Sequence, residues 1–240
     1  MRIGLKTRPA VLFGAMLIIA LIALMPLRAV LGMLDREDGL SAREVAGPVW
    51  WGGLGEARIG NLAIGDVSAG VAPLDLLLGR ARVDVRGREG AANEALRGAL
   101  TFTRSTSGID GVMAHLPAGD VFGPLPITAF DLDDVSVRFQ DESCARAEGR
   151  VTVTIASAMA PQLNLPQQMR GNVRCTAGAL DMPLTSAAGT ESLALLIRPN
   201  GHYNALLTVR PSDPAAGAAL TAAGFQPSGN GYRLAVQGSF

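Results

Sequence analysis

Two hydrophobic patterns divide the chain. From Pro9 to Leu27 runs a stretch of 19 residues without a charge, PAVLFGAMLIIALIALMPL. As a helix rising about 1.5 Å per residue, it nearly matches a hydrocarbon core roughly 30 Å thick. From residue 56 onward the pattern changes to alternation, the period of a half-buried strand. Residues 149–157 (GRVTVTIAS) show it most cleanly, with Val151, Val153 and Ile155 on one face and Thr152 and Thr154 on the other. Similar runs occur at 56–71, 81–87, 98–106, 171–180, 192–198, 203–209 and 232–238. Glycines punctuate them, and glycine disfavours helix interiors.

Turn and cap residues refine this division. Pro199-Asn200-Gly201 between 192–198 and 203–209 predicts a hairpin. One short helix is signed near residues 214–223. Asp213 suits its N-cap, Pro214 its first position, and Gly224 the left-handed residue that ends it. The predicted fold class is mainly β. A transmembrane helix precedes an antiparallel β-rich domain, built as a curved sheet or a sandwich. The expected divisions are a cytoplasmic head (1–8), an anchor (9–27), a juxtamembrane linker (28–44) and the β-domain (45–240).

Charge sets the orientation. Arg2, Lys6 and Arg8 precede the span, whereas Arg28 and the mixed run Asp35, Arg36, Glu37 and Asp38 follow it. The excess of basic residues before the span predicts a cytoplasmic N-terminus, with the β-domain on the opposite side. A cleaved signal peptide is the competing reading. Its apolar region runs about 7–15 residues and ends at a small-x-small site. The longer run here, followed by LRAVLGML without a clean Ala-x-Ala, favours an uncleaved anchor.

The whole chain balances 21 basic against 21 acidic residues over 240 positions. It has no basic block beyond the head, so nucleic-acid binding is set aside. Two cysteines, Cys144 and Cys175, fall in the predicted oxidising compartment. They read as a disulfide, with two buried free thiols as the alternative. Closing a loop of about 30 residues would stabilise by roughly 3–4 kcal/mol. Their spacing gives no zinc quartet.

Candidate chemistry is sparse. His115 and His202 read as surface loop residues without motif partners. Asp131, Asp133 and Asp134 read as a solvated loop before a strand, with calcium binding as the alternative. No nucleophile elbow, zincin pair or phosphate loop occurs. The expectation is a non-enzyme without catalytic, cofactor or metal residues. Two segments carry interface candidates. In Gly47-Pro48-Val49-Trp50-Trp51-Gly52, adjacent tryptophans in a strand would face opposite ways, one inward and one toward a partner or membrane interface. In Pro73-Leu74-Asp75-Leu76-Leu77-Leu78-Gly79, Pro73, Leu76 and Leu77 are candidates for interface or core. Asp75 in its middle must find water or a partner.

The order of these elements resembles the type II secretion system protein N family. It begins with an anchor, then G-x-x-W-x-G at Gly47, Trp50 and Gly52, then P-L-x-L-L-x-G at Pro73 to Gly79. Leu116-Pro117, Leu165-Pro166 and Gly171 follow. Gly201 with Tyr203, Gly224-Phe225, Gly231-Tyr232 and Gly238 complete it. The resemblance implies a single-pass protein of the bacterial inner membrane with a periplasmic domain. It would support export of folded proteins across the outer membrane, alongside other inner-membrane components of the machinery. Lipid contact would run through residues 9–27. The N-terminal motifs also resemble AsmA-like periplasmic proteins, which makes a lipid-handling module the alternative function.

Overall fold

A computed structural model describes residues 7–34, 40–59, 62–91, 93–118, 122–123, 125–156, 166–213 and 215–239. Arg2, Lys6, residues 35–38, Leu165 and Pro214, all named above, lie outside the described residues.

The apolar stretch is not one helix over 9–27. Helix α1 runs Thr7–Ala23 (17 residues), and a separate α2 runs Leu27–Leu34. Pro26 explains the break. It has no N–H to give a helix, and its ring pushes the preceding residue toward extended backbone. The freed backbone joins the β-domain: Val49 N donates to Met25 O at 2.9 Å, Leu27 N donates to Gly47 O at 3.1 Å, and Pro26 bridges Pro48. Leu27 is buried against Val49 and Leu54. Among the described residues no helix is long and apolar enough to cross a membrane.

The body is one antiparallel sheet of sixteen strands among the described residues. The N-terminal strands are β1 (Leu40–Ser41), β2 (Glu44–Ala46), β3 (Gly52–Ile59), β4 (Leu62–Val71), β5 (Ala81–Gly87), β6 (Arg97–Phe102) and β7 (Thr106–Pro117). The middle holds β8 (Ile127–Gln140), β9 (Ser143–Ile155), β10 (Gln168–Asn172), β11 (Arg174–Thr176) and β12 (Ala179–Ser186). The C-terminal strands are β13 (Glu191–Ile197), β14 (His202–Val209), β15 (Gln226–Ser228) and β16 (Gly231–Ser239). From β3 to β10 each strand pairs with the next in sequence, and β12, β13, β14 and β16 continue the order. This is an open meander, so of the two architectures anticipated the sheet prevails over the sandwich. Short turns enforce it. Asp141 and Glu142, both in the left-handed region, form the two-residue link between β8 and β9. The Asn-Gly hairpin forms as expected, with Gly201 N donating to Arg198 O.

Two apolar clusters cover the sheet. The larger takes Val151, Val153 and Ile155 of β9, with Leu193, Leu195 and Leu207 of β13 and β14. Phe122 and Leu220 cap it, the latter from α4 (Ala216–Ala222). The smaller joins Leu27 to Leu54, Ala57, Val67 and Ala69 of β3 and β4. Just ahead of α4, the Asp213 side chain accepts from Ala215 N at 2.8 Å, the kind of contact expected of a capping aspartate. Gly224 then ends the helix with φ +91°.

Two expectations are corrected. His115 lies in β7 rather than a turn, and Asp131, Asp133 and Asp134 lie inside β8 rather than in a loop before it. Irregular register hides both strands. Pairing between β7 and β8 shifts between Ile109 and Val112, and pairing between β8 and β9 shifts between Asp133 and Ser136. Each bulge inverts the phase of alternation, so neither strand reads as continuous.

Candidate interaction surface

A backbone ladder ties the end of α1 to the interface candidates. Val49 N donates to Met25 O, Val71 N donates to Val49 O at 3.0 Å, and Ala72 N donates to Arg82 O at 2.9 Å. Adjacent strands lie about 4.8 Å apart. The start of β3, the end of β4 and the start of β5 therefore sit side by side, within roughly 10–15 Å of the point where α1 ends.

Trp50 and Trp51 occupy the turn just before β3 rather than a strand. They still diverge as anticipated. Trp50 packs half-buried on the smaller cluster, whereas Trp51 is 73% exposed. The glycines around them are demanded by close approach. A Cβ on Gly52 would collide with the Leu27 side chain, and one on Gly70 would collide with the Trp50 carbonyl. Gly47 has φ +85°, a left-handed conformation that a glycine takes freely.

Residues 73–77 form a short helix, α3 (Pro73–Leu77), with proline near its start and Gly79 in the left-handed region beyond its end. Its leucines are exposed, so the core alternative for this segment is corrected. Leu77 is 84% and Leu76 43% exposed, and Leu74 and Leu78 stand out beside them. Pro73 is exposed as well. Asp75 finds its partner in Arg80 at 2.9 Å, and its backbone oxygen accepts from Arg80 N. Phe102, exposed at the end of β6, pairs with Ala81 next to α3. Sequence reasoning missed Phe102, because nothing in its alternation separates an exposed end from a buried one.

Other titratable groups line the strands of the sheet. His115 and Asp131 are direct cross-strand partners, with Nδ1 2.6 Å from Oδ1; His115 is exposed and Asp131 half-buried. An open cleft of about 700 Å³ lies over β5 to β7. Its lining mixes charged side chains, among them Arg82, Asp84, Arg97 and Asp110, with Leu96, Ala95 and glycines. Arg82 reaches Asp84 at 3.1 Å and Arg138 reaches Asp110 at 3.6 Å, so this face is a charge-paired surface. Among the described residues no cluster of three or more His, Cys, Asp or Glu could hold a metal. Burial pushes the Tyr203 phenol above its ordinary range.

Cys144 and Cys175 are bonded, with Cα atoms 5.5 Å apart. The bond fastens β11 to β9 across a sequence separation of 31.

No curated protein and no solved structure matches this chain. The family model described as Type II secretion system (T2SS), protein N matches residues 38–235, from β1 into β16. That match takes in the Trp50 turn, α3, the disulfide and the C-terminal Gly-Tyr pairs, and on it the chain belongs to the type II secretion system protein N family.

Proposed function

We propose that the protein is a non-enzymatic, membrane-anchored component of type II secretion. In this reading α1 holds it in the bacterial inner membrane and the sheet works on the periplasmic side, in contact with other inner-membrane parts of the machinery. The carrying observation is the family match over 38–235, joined to the character of α1. Val11, Leu12, Phe13, Met16, Ile18 and Leu21 are all exposed, so α1 is apolar on every face. A helix of that kind needs an apolar surrounding on all sides, such as lipid. Its 17 residues give about 25 Å, at the short end for a span, and the apolar run continues through Leu24 and Met25.

The anchor is also stiffly joined to the sheet. Leu27 is buried immediately after it, and Met25 and Leu27 bond to the β-domain backbone. A force or a docking event at the sheet would pass to the anchor without an intervening flexible tether. The test is deletion of the gene in a secreting strain, with assay of exported enzymes in the medium. The reading predicts reduced export, restored by the full chain and not by a chain lacking residues 7–23. Unchanged export in the deletion strain would contradict it.

A further inference from the structure

The exposed apolar side chains of the β-domain are not scattered. Outside the α1 stretch, the described residues expose Trp51, Leu74, Leu76, Leu77, Leu78 and Phe102, with Leu206 separate from them. The first six lie together. Trp51 abuts Gly70 near the end of β4, α3 joins β4 to β5, and Phe102 pairs with Ala81 at the start of β5. Exposed apolar side chains gathered in one place mark a contact.

Its position identifies the occupant. The patch lies at the strand ends that the Met25–Val49–Val71 ladder connects to the end of α1. The only charge inside α3 is Asp75, and Arg80 neutralises it at 2.9 Å. A tryptophan beside a short leucine-rich helix is a combination suited to the boundary between headgroups and acyl chains. We propose that Trp51, α3 and Phe102 form a second membrane contact, a foot lying in the surface of the same bilayer that α1 enters. The foot fixes the tilt of the sheet, so that β3 to β6 stand with these ends toward lipid. This rests on the anchoring role proposed for α1.

The test uses the full chain with its disulfide intact, reconstituted in vesicles of phosphatidylethanolamine and phosphatidylglycerol. Single cysteines at Leu17→Cys, Leu77→Cys and Ala188→Cys each carry a nitroxide. Ala188 is exposed in the turn after β12, at the opposite strand ends. Collision with oxygen reports apolar depth, and collision with a water-soluble nickel chelate reports aqueous exposure. The expected result is a several-fold preference for oxygen at positions 17 and 77, and for nickel at 188. Preference for oxygen at 17 with nickel at 77 would overturn the foot and leave the anchor standing. Shielding of 77 from both reagents would overturn it in favour of a protein partner or a second copy. Preference for nickel at 17 would overturn the anchor and the foot together. Leu77 is exposed, so its replacement removes no packing that the fold needs.

Discussion

Tyr203 faces Gly238 directly across the pairing of β14 with β16, and its ring fills the space that a side chain at 238 would take. A Cβ there would come within 2.5 Å of the Tyr203 hydroxyl and 2.6 Å of the ring. The same ring packs at a tilt against Phe122, with centroids 5.1 Å apart, and Phe122 in turn lies 5.2 Å from Phe130. The bare strand position thus lets one aromatic side chain close the C-terminal half of the core. Gly238→Ala should destabilise the protein by about 1–3 kcal/mol through overpacking. Urea unfolding followed by circular dichroism checks this.

The burial of Tyr203 also sets an alkaline limit. Its folded-state pKa is raised, so the unfolded chain releases the phenolic proton first. Stability is unaffected well below the ordinary tyrosine value of about 10 and falls as the pH rises through and beyond it. Absorbance of tyrosinate should therefore show one tyrosine ionising in step with loss of β-structure. Full ionisation of both tyrosines with the circular dichroism unchanged would contradict the assignment.

The Cys144–Cys175 bond ties a short strand to β9. β11 pairs three residues with β12, where Arg174 and Thr176 also bond the Asp181 carboxylate, and the disulfide is its covalent link across to β9. Reduction, or replacement of both cysteines by serine, should lower stability by about 2–4 kcal/mol. Unfolding midpoints with and without reductant measure it, and the double serine variant should no longer respond to reductant.

Leu27 couples α1 to the sheet, being only 7% exposed directly after the break at Pro26. Leu27→Ala should cost about 2–4 kcal/mol. It should also speed tryptic cleavage at the neighbouring exposed Arg28. Limited proteolysis of the full chain in detergent gives the rate. An unchanged rate would mean that the joint does not depend on this side chain.

Much of the architecture was legible because side-chain alternation is a direct record of burial. In β9 the order Val151-Thr152-Val153-Thr154-Ile155 reads as buried and half-buried residues in turn, as the pattern implies. The Asn200-Gly201 turn is readable from its own two residues, and the Cys144–Cys175 pair from an even cysteine count in an expected oxidising compartment. Where bulges intervene, the record is interrupted. Gly111 and Asp134 both adopt left-handed backbone at or beside the register shifts of β7 and β8, so the aspartates of β8 looked like a loop. The apolar run overshoots the end of α1 because hydropathy cannot tell an apolar residue of an exposed helix from one, like Leu27, packed on a sheet. The same ambiguity left Leu76 and Leu77 open between core and surface, and only the fold puts them outside. The cross-strand pair of His115 and Asp131 depends on register between distant segments, which no short motif encodes.

Geography is the central claim, and a reporter enzyme that is active only outside the cytoplasm tests it most directly. Fused after Phe240 of the full chain, it should be active and remain with the membrane fraction after high-salt washing, and removal of residues 7–23 should abolish that activity. An inactive fusion, made in normal amounts and paired with a fluorescent cytoplasmic reporter at the same site, would contradict the account.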